Sequence, residues 1–532
     1  MMPFSAHLTR VDVAAGALAL ALQWLFHKAI AEWRGVARAA LLMGFCACGR
    51  GLAPVFGSDA VAPVVVVSVT VLSWKWFTLD LDVTRPPAPQ VAARAVSLLV
   101  GCAGLAWPPL LGVWLALGVS RLRANSHHQL LVLRVVEAWL ACRLVGSSLS
   151  SAGYAVSGGL SAVLVSSIHA VHYVRPGVGK LRLGAHWYDW VVQNRTEFLA
   201  ASAHQWGWAA FIPPDNWGAC VRLLARLRPA LNAFAVATEL LGAVALLHPA
   251  VHVAFLAAVF FMHAGIAICS GILFWESMLV AAALGLSLAV HVGAVACWGL
   301  DAWALSLGVI GLCMGASFPF RPSLLAWWDT PFTGRVRWEV EGRSGRIYTL
   351  GNDFMCPWER DYGRMHGFFL VPRGLIHYHL GTTTSAAVRN AVVACGGSAA
   401  EIEAIQRAHG AVHYDAAARE DEARFLGTMF AALNRGARKN VLPAALGWLK
   451  APGGQMFYWG SAPRYRRQEP ARRIRAYYTE KYFEVACWCS RTLRDEEVLS
   501  VLVEDERRDD GEAPPPPSRR RMGEVGPAFV TS

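Results

Sequence analysis

Charge is what this chain has least of. Only 16% of its 532 residues are Asp, Glu, Lys or Arg, 55% are hydrophobic, and the mean hydropathy is +0.36. A soluble protein carries about a quarter charged residues. The deficit is uneven: it lies almost entirely before Pro319, and charge returns to ordinary density from Gly334 onward. Several motifs are missing as well. There is no G-x-S-x-G elbow, no P-loop and no dinucleotide fingerprint, which argues against those hydrolase and nucleotide-binding classes. The chain has twelve cysteines. Cys46/Cys48 and Cys487/Cys489 form C-x-C pairs, but neither has a second pair or a histidine at zinc-finger spacing, so no metal is predicted. Cys102, Cys269, Cys297 and Cys313 lie in apolar runs, where cysteine acts as a small hydrophobe. No internal repeat is visible. The net charge of +12 comes from dispersed rather than striped residues. That argues against nucleic acid and suits Lys and Arg beside anionic lipid.

What is present is a series of apolar runs. A span needs about 20 apolar residues. Candidates are Val11–Phe26, Val36–Cys48, Ala60–Phe77, Ala95–Val119, Leu130–Val145, Tyr154–Tyr173, Leu231–Leu247, Val251–Ser270, Ile272–Trp298 and Ala302–Ser317. The second is short for a span. The first lacks a small-residue cleavage site and reads as a membrane helix or signal anchor. His248-Pro249 breaks the seventh from the eighth. The expected fold is a polytopic α-helical membrane protein of about eight to ten membrane helices with a C-terminal soluble α+β domain. N-terminal membrane helices occupy 1–90, a membrane core 91–320, the soluble domain 333–503, and a disordered tail 504–532.

Within the core, residues 181–228 have another texture. Trp187, Tyr188, Trp190, Trp206, Trp208 and Trp217 mix with Arg195, Glu197, Asp215 and Arg222. Such rings favour the headgroup layer, so one amphipathic helix lying flat is expected, then a loop around Ile212–Trp217. The stretch is either an aromatic belt or a lid over a membrane cavity. Further on, Val336–Val340 and Gly345–Leu350 alternate as a hairpin. Gly367–Val371 and Leu375–Leu380 suggest another strand pair, Ala399–His409 and Glu420–Arg435 read as helices, and Arg472–Tyr478 and Lys481–Trp488 read as late strands.

Lys180 stands at the edge of an apolar run. Burial disfavours the ammonium form, so this lysine is either a base or a snorkelling side chain with its head at the interface. His169 and His172, three apart, are expected to share one helix face, as metal ligands or as a polar face toward a cavity. Glu239 lies mid-span and should face the bundle interior. His263, in the next span, is placed by antiparallel packing in one cavity with Glu239 and Lys180. Glu276 sits near a helix start, where the dipole favours it. In the soluble part, Cys356 with His366 suggests thiol chemistry or, alternatively, a turn-rich docking segment.

Gly177-Val-Gly-Lys180-Leu, then Trp187, Glu239, Phe261-Met-His263 and Gly271-Ile-Leu-Phe, with an earlier Asn125-Ser-His127-His-Gln, resemble the vitamin K-dependent gamma-carboxylases. They also resemble the wider family of horizontally transferred transmembrane (HTTM) domain proteins. The similarity covers roughly residues 95–300. It implies a carboxylase-like lyase acting on reduced vitamin K or another quinone, or on a lipid-soluble substrate. Lys180 would be the base, with His263 and Glu239 at the family's histidine and acidic positions. His169, His172 and Trp187 would bind the cofactor, with no metal. It further implies membrane lipids and a peptide or protein substrate as partners, and a multi-pass location in an endomembrane such as the ER, if eukaryotic, or the plasma membrane otherwise. Gly179 stands where the family doubles its lysine, and the soluble domain is shorter than the carboxylases' lumenal one. The other readings are a non-catalytic membrane protein that binds a lipid or protein partner, and a transporter using Glu239, Glu276 and His263 as a proton path.

Overall fold

A computed structural model describes residues 8–31, 52–56, 60–119, 127–157, 159–290, 298–351, 354, 365–377, 379–452 and 462–503. The Val36–Cys48 run, Asn125, Cys356, the side chain of His366 and the 504–532 tail lie outside these residues. The helical half comprises α1 (Arg10–Ala31), α2 (Ala62–Thr78), α3 (Pro87–Ala106), α4 (Pro109–Val119), α5 (His127–Ser151), α6 (Leu160–Leu181), α7 (Asp189–Gln193), α8 (Glu197–Gln205), α9 (Pro214–Leu241), α10 (Pro249–Ser270), α11 (Trp275–Val290) and α12 (Leu300–Gly315). Proline opens or nearly opens five of them: Pro63, Pro87, Pro109, Pro214 and Pro249. Its fixed φ suits the first turn, where its missing N–H is not needed. Three are long and apolar enough to cross a membrane: Pro87–Ala106, Pro214–Leu247 (α9 with its 3-10 extension) and Pro249–Ser270. Ala62–Thr78, Trp275–Val290 and Leu300–Gly315 are shorter apolar helices.

Several expectations shift. The 95–119 run is two helices, because Trp107-Pro108 ends α3 and Pro109 starts α4. The sixth run starts and ends later than expected, which places Lys180 inside the last turn of α6. Most consequential is α9, which begins at Pro214 rather than near Leu231, so Trp217 and the arginines 222–228 lie on the same helix as Glu239. The 181–228 segment is therefore two short helices and a turn, followed by the first half of α9. His248 caps α10, its Nδ1 accepting from Ala250 N–H at 3.1 Å. Gly271 closes that helix at φ 67°, and a Cβ there would strike the Trp208 indole at 2.7 Å.

The second half begins with β1 (Trp328–Asp329) and contains β2 (Phe332–Gly342), β3 (Ile347–Leu350), β4 (Gly374–Leu375), β5 (Thr382–Thr383), α13 (Ala386–Ala394), α14 (Ala399–His409), β6 (Ala411–Val412), α15 (Ala416–Asn434), β7 (Ala471–Glu484) and β8 (Cys489–Leu502). A four-stranded antiparallel sheet has the order β3-β2-β7-β8. The first expected hairpin is present, with Val340 opposite Tyr348. The second is not: 365–370 is a 3-10 turn, and Gly374–Leu375 pairs with Ala411–Val412 instead. The two expected late strands are one strand, β7, and β8 returns beside it. Val336, Val340, Ile474 and Tyr478 on the sheet form a core with Leu426 and Phe430 of α15.

Candidate functional site

The site is built where α6 crosses α9. Gly177 and Gly179 make that crossing close. A Cβ on Gly177 would come within 3.0 Å of Glu239 Cβ, and one on Gly179 within 2.8–2.9 Å of Leu324 and Ala326. A lysine side chain therefore has no room at Gly179. One residue later, Lys180 Nζ donates to both carboxylate oxygens of Glu239, at 2.5 and 2.7 Å. The two residues are only 9% and 6% exposed. The Lys180 ammonium also lies 5.2 Å from the centre of the Trp190 ring. Trp190, Val236 and Trp328 pack as one apolar cluster there. The snorkelling reading of Lys180 is not what the geometry shows, because its head group is paired inside the fold.

Trp187 is not beside Lys180. It is 70% exposed and packs edge-on against Tyr188. Three residues on, Trp190 takes the position expected of it, held by its Nε1–H donating to the Trp327 carbonyl at 2.7 Å. His263 joins Lys180 and Glu239 indirectly. Its Nε2 is 3.1 Å from the hydroxyl of Tyr173, and Tyr173 lies two turns before Lys180 on α6. His169 is fully buried against Tyr173 and Phe255, but it precedes Lys180 by eleven residues, about 16 Å of helix rise. His172 faces elsewhere, stacking near Phe320 with Nδ1 on the Ile168 carbonyl. The two histidines therefore do not form one polar face. Neither ring nitrogen of His169 or of fully buried His252 has a hydrogen-bond partner among the described residues.

No family model, curated protein or solved structure matches this chain. The chemistry is read from the site's own atoms.

Several contributors carry no mark in the sequence. Asn194 Nδ2 donates to Asp329 Oδ2 at 2.8 Å, and its Oδ1 accepts from the Asp329 backbone N–H at 2.9 Å. Asn232 Nδ2 in turn donates to the Asn194 carbonyl. This network ties α7, α9 and β1 into one polar seam under Lys180. It also buries Asn194, the head of the chain's Asn-Arg-Thr sequon, completely. Burial pushes the Asp329 carboxyl up to about 7, assisted by the Glu197 charge and opposed by the Asn194 hydrogen bond and the Lys180 charge. Lys75 is another: it pairs with Glu276 in a second buried contact and lies 5.6 Å from the Trp275 ring. Glu276 does stand in the first turn of α11, as its spacing predicted. Buried Arg134 and Glu137, at 2.5 Å on α5, make a third pair. Nothing in the sequence pattern of Lys75 or Asp329 names a partner: the contacts join residues 201 and 135 positions apart.

Proposed function

We propose that this chain is a multi-pass membrane enzyme of the carboxylase-like type, with Lys180 and Glu239 as its acid–base pair and a quinone or other lipid-soluble molecule as substrate. The observation that carries the reading is the bidentate Lys180–Glu239 contact inside an aromatic-walled seam. A buried charge pair is costly unless it is well paired, and it neutralises readily by internal proton transfer. Passage of a proton from Nζ to the carboxylate leaves a neutral amine in low dielectric, which is the form a general base requires. Trp190 shields this atom from water. The Tyr173–His263 hydrogen bond offers the next place a proton can rest, two turns deeper. Membrane insertion is supported by apolar side chains that point away from the fold on several helices: Leu99 of α3, Phe261 and Ile268 of α10, Leu286 of α11 and Leu300 of α12. Large apolar side chains exposed on several helices suit lipid rather than water.

Trp190 and Trp328 pack with Val236 beside Lys180. The Trp328 Nε1–H has no acceptor among the described residues, and the Arg389 guanidinium lies 4.2 Å from that ring's centre. These residues would be the ones to meet a quinone. When bound, a hydroquinone supplies an acidic hydroxyl and an oxidisable ring; the chain's own part is to orient it, exclude water and receive its proton at Nζ.

The test is mass spectrometry of lipids and quinones co-purifying in mild detergent with the wild type and with Lys180→Ala. A quinone held by the wild type and lost from the variant supports the reading, and oxygen-dependent epoxidation follows as the activity assay. Only bulk phospholipid in both would favour a non-catalytic protein that binds a lipid or protein partner.

A further inference from the structure

The β7–β8 hairpin ends in a disulfide between Cys487 and Cys489, two residues apart and both exposed. The bond does little for the fold. The strands it joins are already paired, with Glu484 opposite Cys489, and the ladder continues without break from there to Glu480 opposite Arg494 apart from one register shift. The shortest loops also constrain the unfolded chain least. A bond that is dispensable as a staple and open to solvent on both sulfurs is placed for exchange, whose rate depends on access of an incoming thiolate.

The hairpin tip is nevertheless held in place. Trp488, between the two cysteines, stacks edge-on against Phe483 at 6.0 Å and lies under the Arg222 guanidinium at 5.7 Å. Its backbone and Cβ press against α9 at Gly218, which has space for no side chain without a shift. Cys269, at the end of α10, packs in the same apolar cluster as Trp488. The disulfide thus rides on the junction between the sheet and the helical half. A Glu484 carboxylate oxygen lies 3.8 Å from the Cys487 sulfur, and Arg491 Nε holds the other end of that carboxylate at 2.7 Å. A neighbouring carboxylate disfavours a thiolate on Cys487. The same carboxylate lies within 4.8 Å of both sulfurs; of the two, Cys487 is taken as the sulfur attacked because Cys489 then leaves from the end of the hairpin that β8 continues.

We propose that Cys487 and Cys489 are a thiol–disulfide exchange site for a dithiol substrate. One substrate thiolate attacks Cys487 Sγ, forming a mixed disulfide as the Cys487–Cys489 bond breaks and Cys489 leaves as thiolate. The second substrate thiolate attacks the substrate sulfur of that mixed disulfide. It releases an oxidised substrate and a reduced Cys487/Cys489 pair, which has gained two electrons and, from the substrate thiols, two protons. The reverse sequence delivers those electrons to a substrate disulfide.

The experiment uses the full-length protein in detergent, incubated with dithiothreitol, or with mixtures of reduced and oxidised glutathione. Acid quenching and differential alkylation are then read on the peptide carrying both cysteines. The expected result is full, reversible conversion between oxidised and reduced pair within minutes, with no change in the elution volume of the folded protein. Cys489→Ser and Cys487→Ser should each accumulate a glutathione adduct on the remaining cysteine, which the wild type clears by internal attack of the second cysteine. The proposal is overturned if the pair stays oxidised under excess thiol in the folded protein, or if it is reduced at every glutathione ratio. It is also overturned if freshly purified protein retains stoichiometric zinc that Cys487→Ser loses. The sulfurs and the Glu484 carboxylate lie within 4.8 Å of one another, and a resident metal would mean that the working state is not a disulfide.

Discussion

Replacing Lys180 by methionine leaves the Glu239 carboxylate in the wall between α6 and α9 without its two hydrogen bonds. Removing one partner of a buried ion pair costs about 3–5 kcal/mol, while replacing both with neutral groups of similar volume is often neutral. Lys180→Met and Glu239→Gln should each therefore be strongly destabilising, and the Lys180→Met/Glu239→Gln double variant should return to within about 1 kcal/mol of the wild type. The coupling energy in this cycle is then at least roughly 5 kcal/mol. At about 2.1 cal/mol/K of unfolding entropy per residue, a chain of 532 residues shifts by roughly 1 °C per kcal/mol, so each single variant should lose roughly 3–5 °C. The assay is the fraction of monodisperse protein surviving a heating series in detergent. Lys180→Arg adds the chemical half of the test. It keeps a cation for Glu239 but cannot give up a proton at working pH, so it should stay folded and lose quinone-dependent turnover by several orders of magnitude. A double variant as unstable as the sum of the two singles would refute the pairing. An active Lys180→Arg protein would refute the base.

Asp329 predicts a pH dependence. Its folded value of about 7 lies above the ordinary 3.8, so the folded state binds the proton more tightly. The stabilisation is fully present below about pH 4 and is lost as pH rises through about 7, by an amount on the order of 4 kcal/mol. Asp329→Asn should flatten that slope in urea or thermal titrations, and an unchanged slope would remove Asp329 as its cause. Trp190→Ala should cost about 3–5 kcal/mol and weaken quinone retention, while Trp187→Ala should stay within about 0.5 kcal/mol; equal effects would mean that the wrong indole has been placed beside Lys180. Gly179→Lys should fail to give a doubled-lysine site and should instead lower yield and thermal survival, because its Cβ already meets Leu324 and Ala326; a stable variant would contradict that packing.

The parts of this molecule that were legible in the sequence are those set by local rules. Apolar runs bounded by proline marked the helices, and Ala399–His409 was legible to the residue from its period and its Ser398 cap. Lys180 and Glu239 stood out because ionisable groups inside apolar runs need a reason. The rest depended on distance in space. The start of α9 was hidden because Arg222, Arg226, Arg228 and an internal Pro229 look unlike a membrane helix, yet these residues extend it beneath the sheet. Strand β8 carries Arg494, Asp495, Glu496 and Glu497, which suit a solvated edge rather than a core-facing pattern. Between Trp187 and Trp190 composition cannot choose; the turn after α6 decides, by turning one indole out to solvent and the other over the lysine.

The two interhelical Lys–Glu pairs provide an internal control. Lys75 stands in the last turn of α2 and Glu276 in the first turn of α11. A cation at a helix C-terminus and an anion at an N-terminus are both favoured by the backbone dipole, so that pair is a fixed bolt between two helices. In the other pair only Lys180 has this help, since Glu239 lies at the far end of α9 from its N-terminus. Each lysine lies beside an indole, Lys75 5.6 Å from the Trp275 ring and Lys180 5.2 Å from the Trp190 ring, but the Lys180 charge also acts on Asp329 and its Asn194 network. Neither burial nor an unfilled indole donor identifies a working site, since the Trp275 Nε1–H beside Lys75 also has no acceptor among the described residues; paired double variants do. The Lys75→Met/Glu276→Gln double variant should stay folded and keep whatever quinone the wild type retains, while Lys180→Met/Glu239→Gln should stay folded and lose it. If both double variants lose the ligand, retention reflects the packing of the bundle as a whole, and Lys180 has no special standing. If neither loses it, the ligand sits elsewhere, and His169, about 16 Å deeper along α6, with His252 on α10, whose ring nitrogens have no hydrogen-bond partner among the described residues, become the place to look.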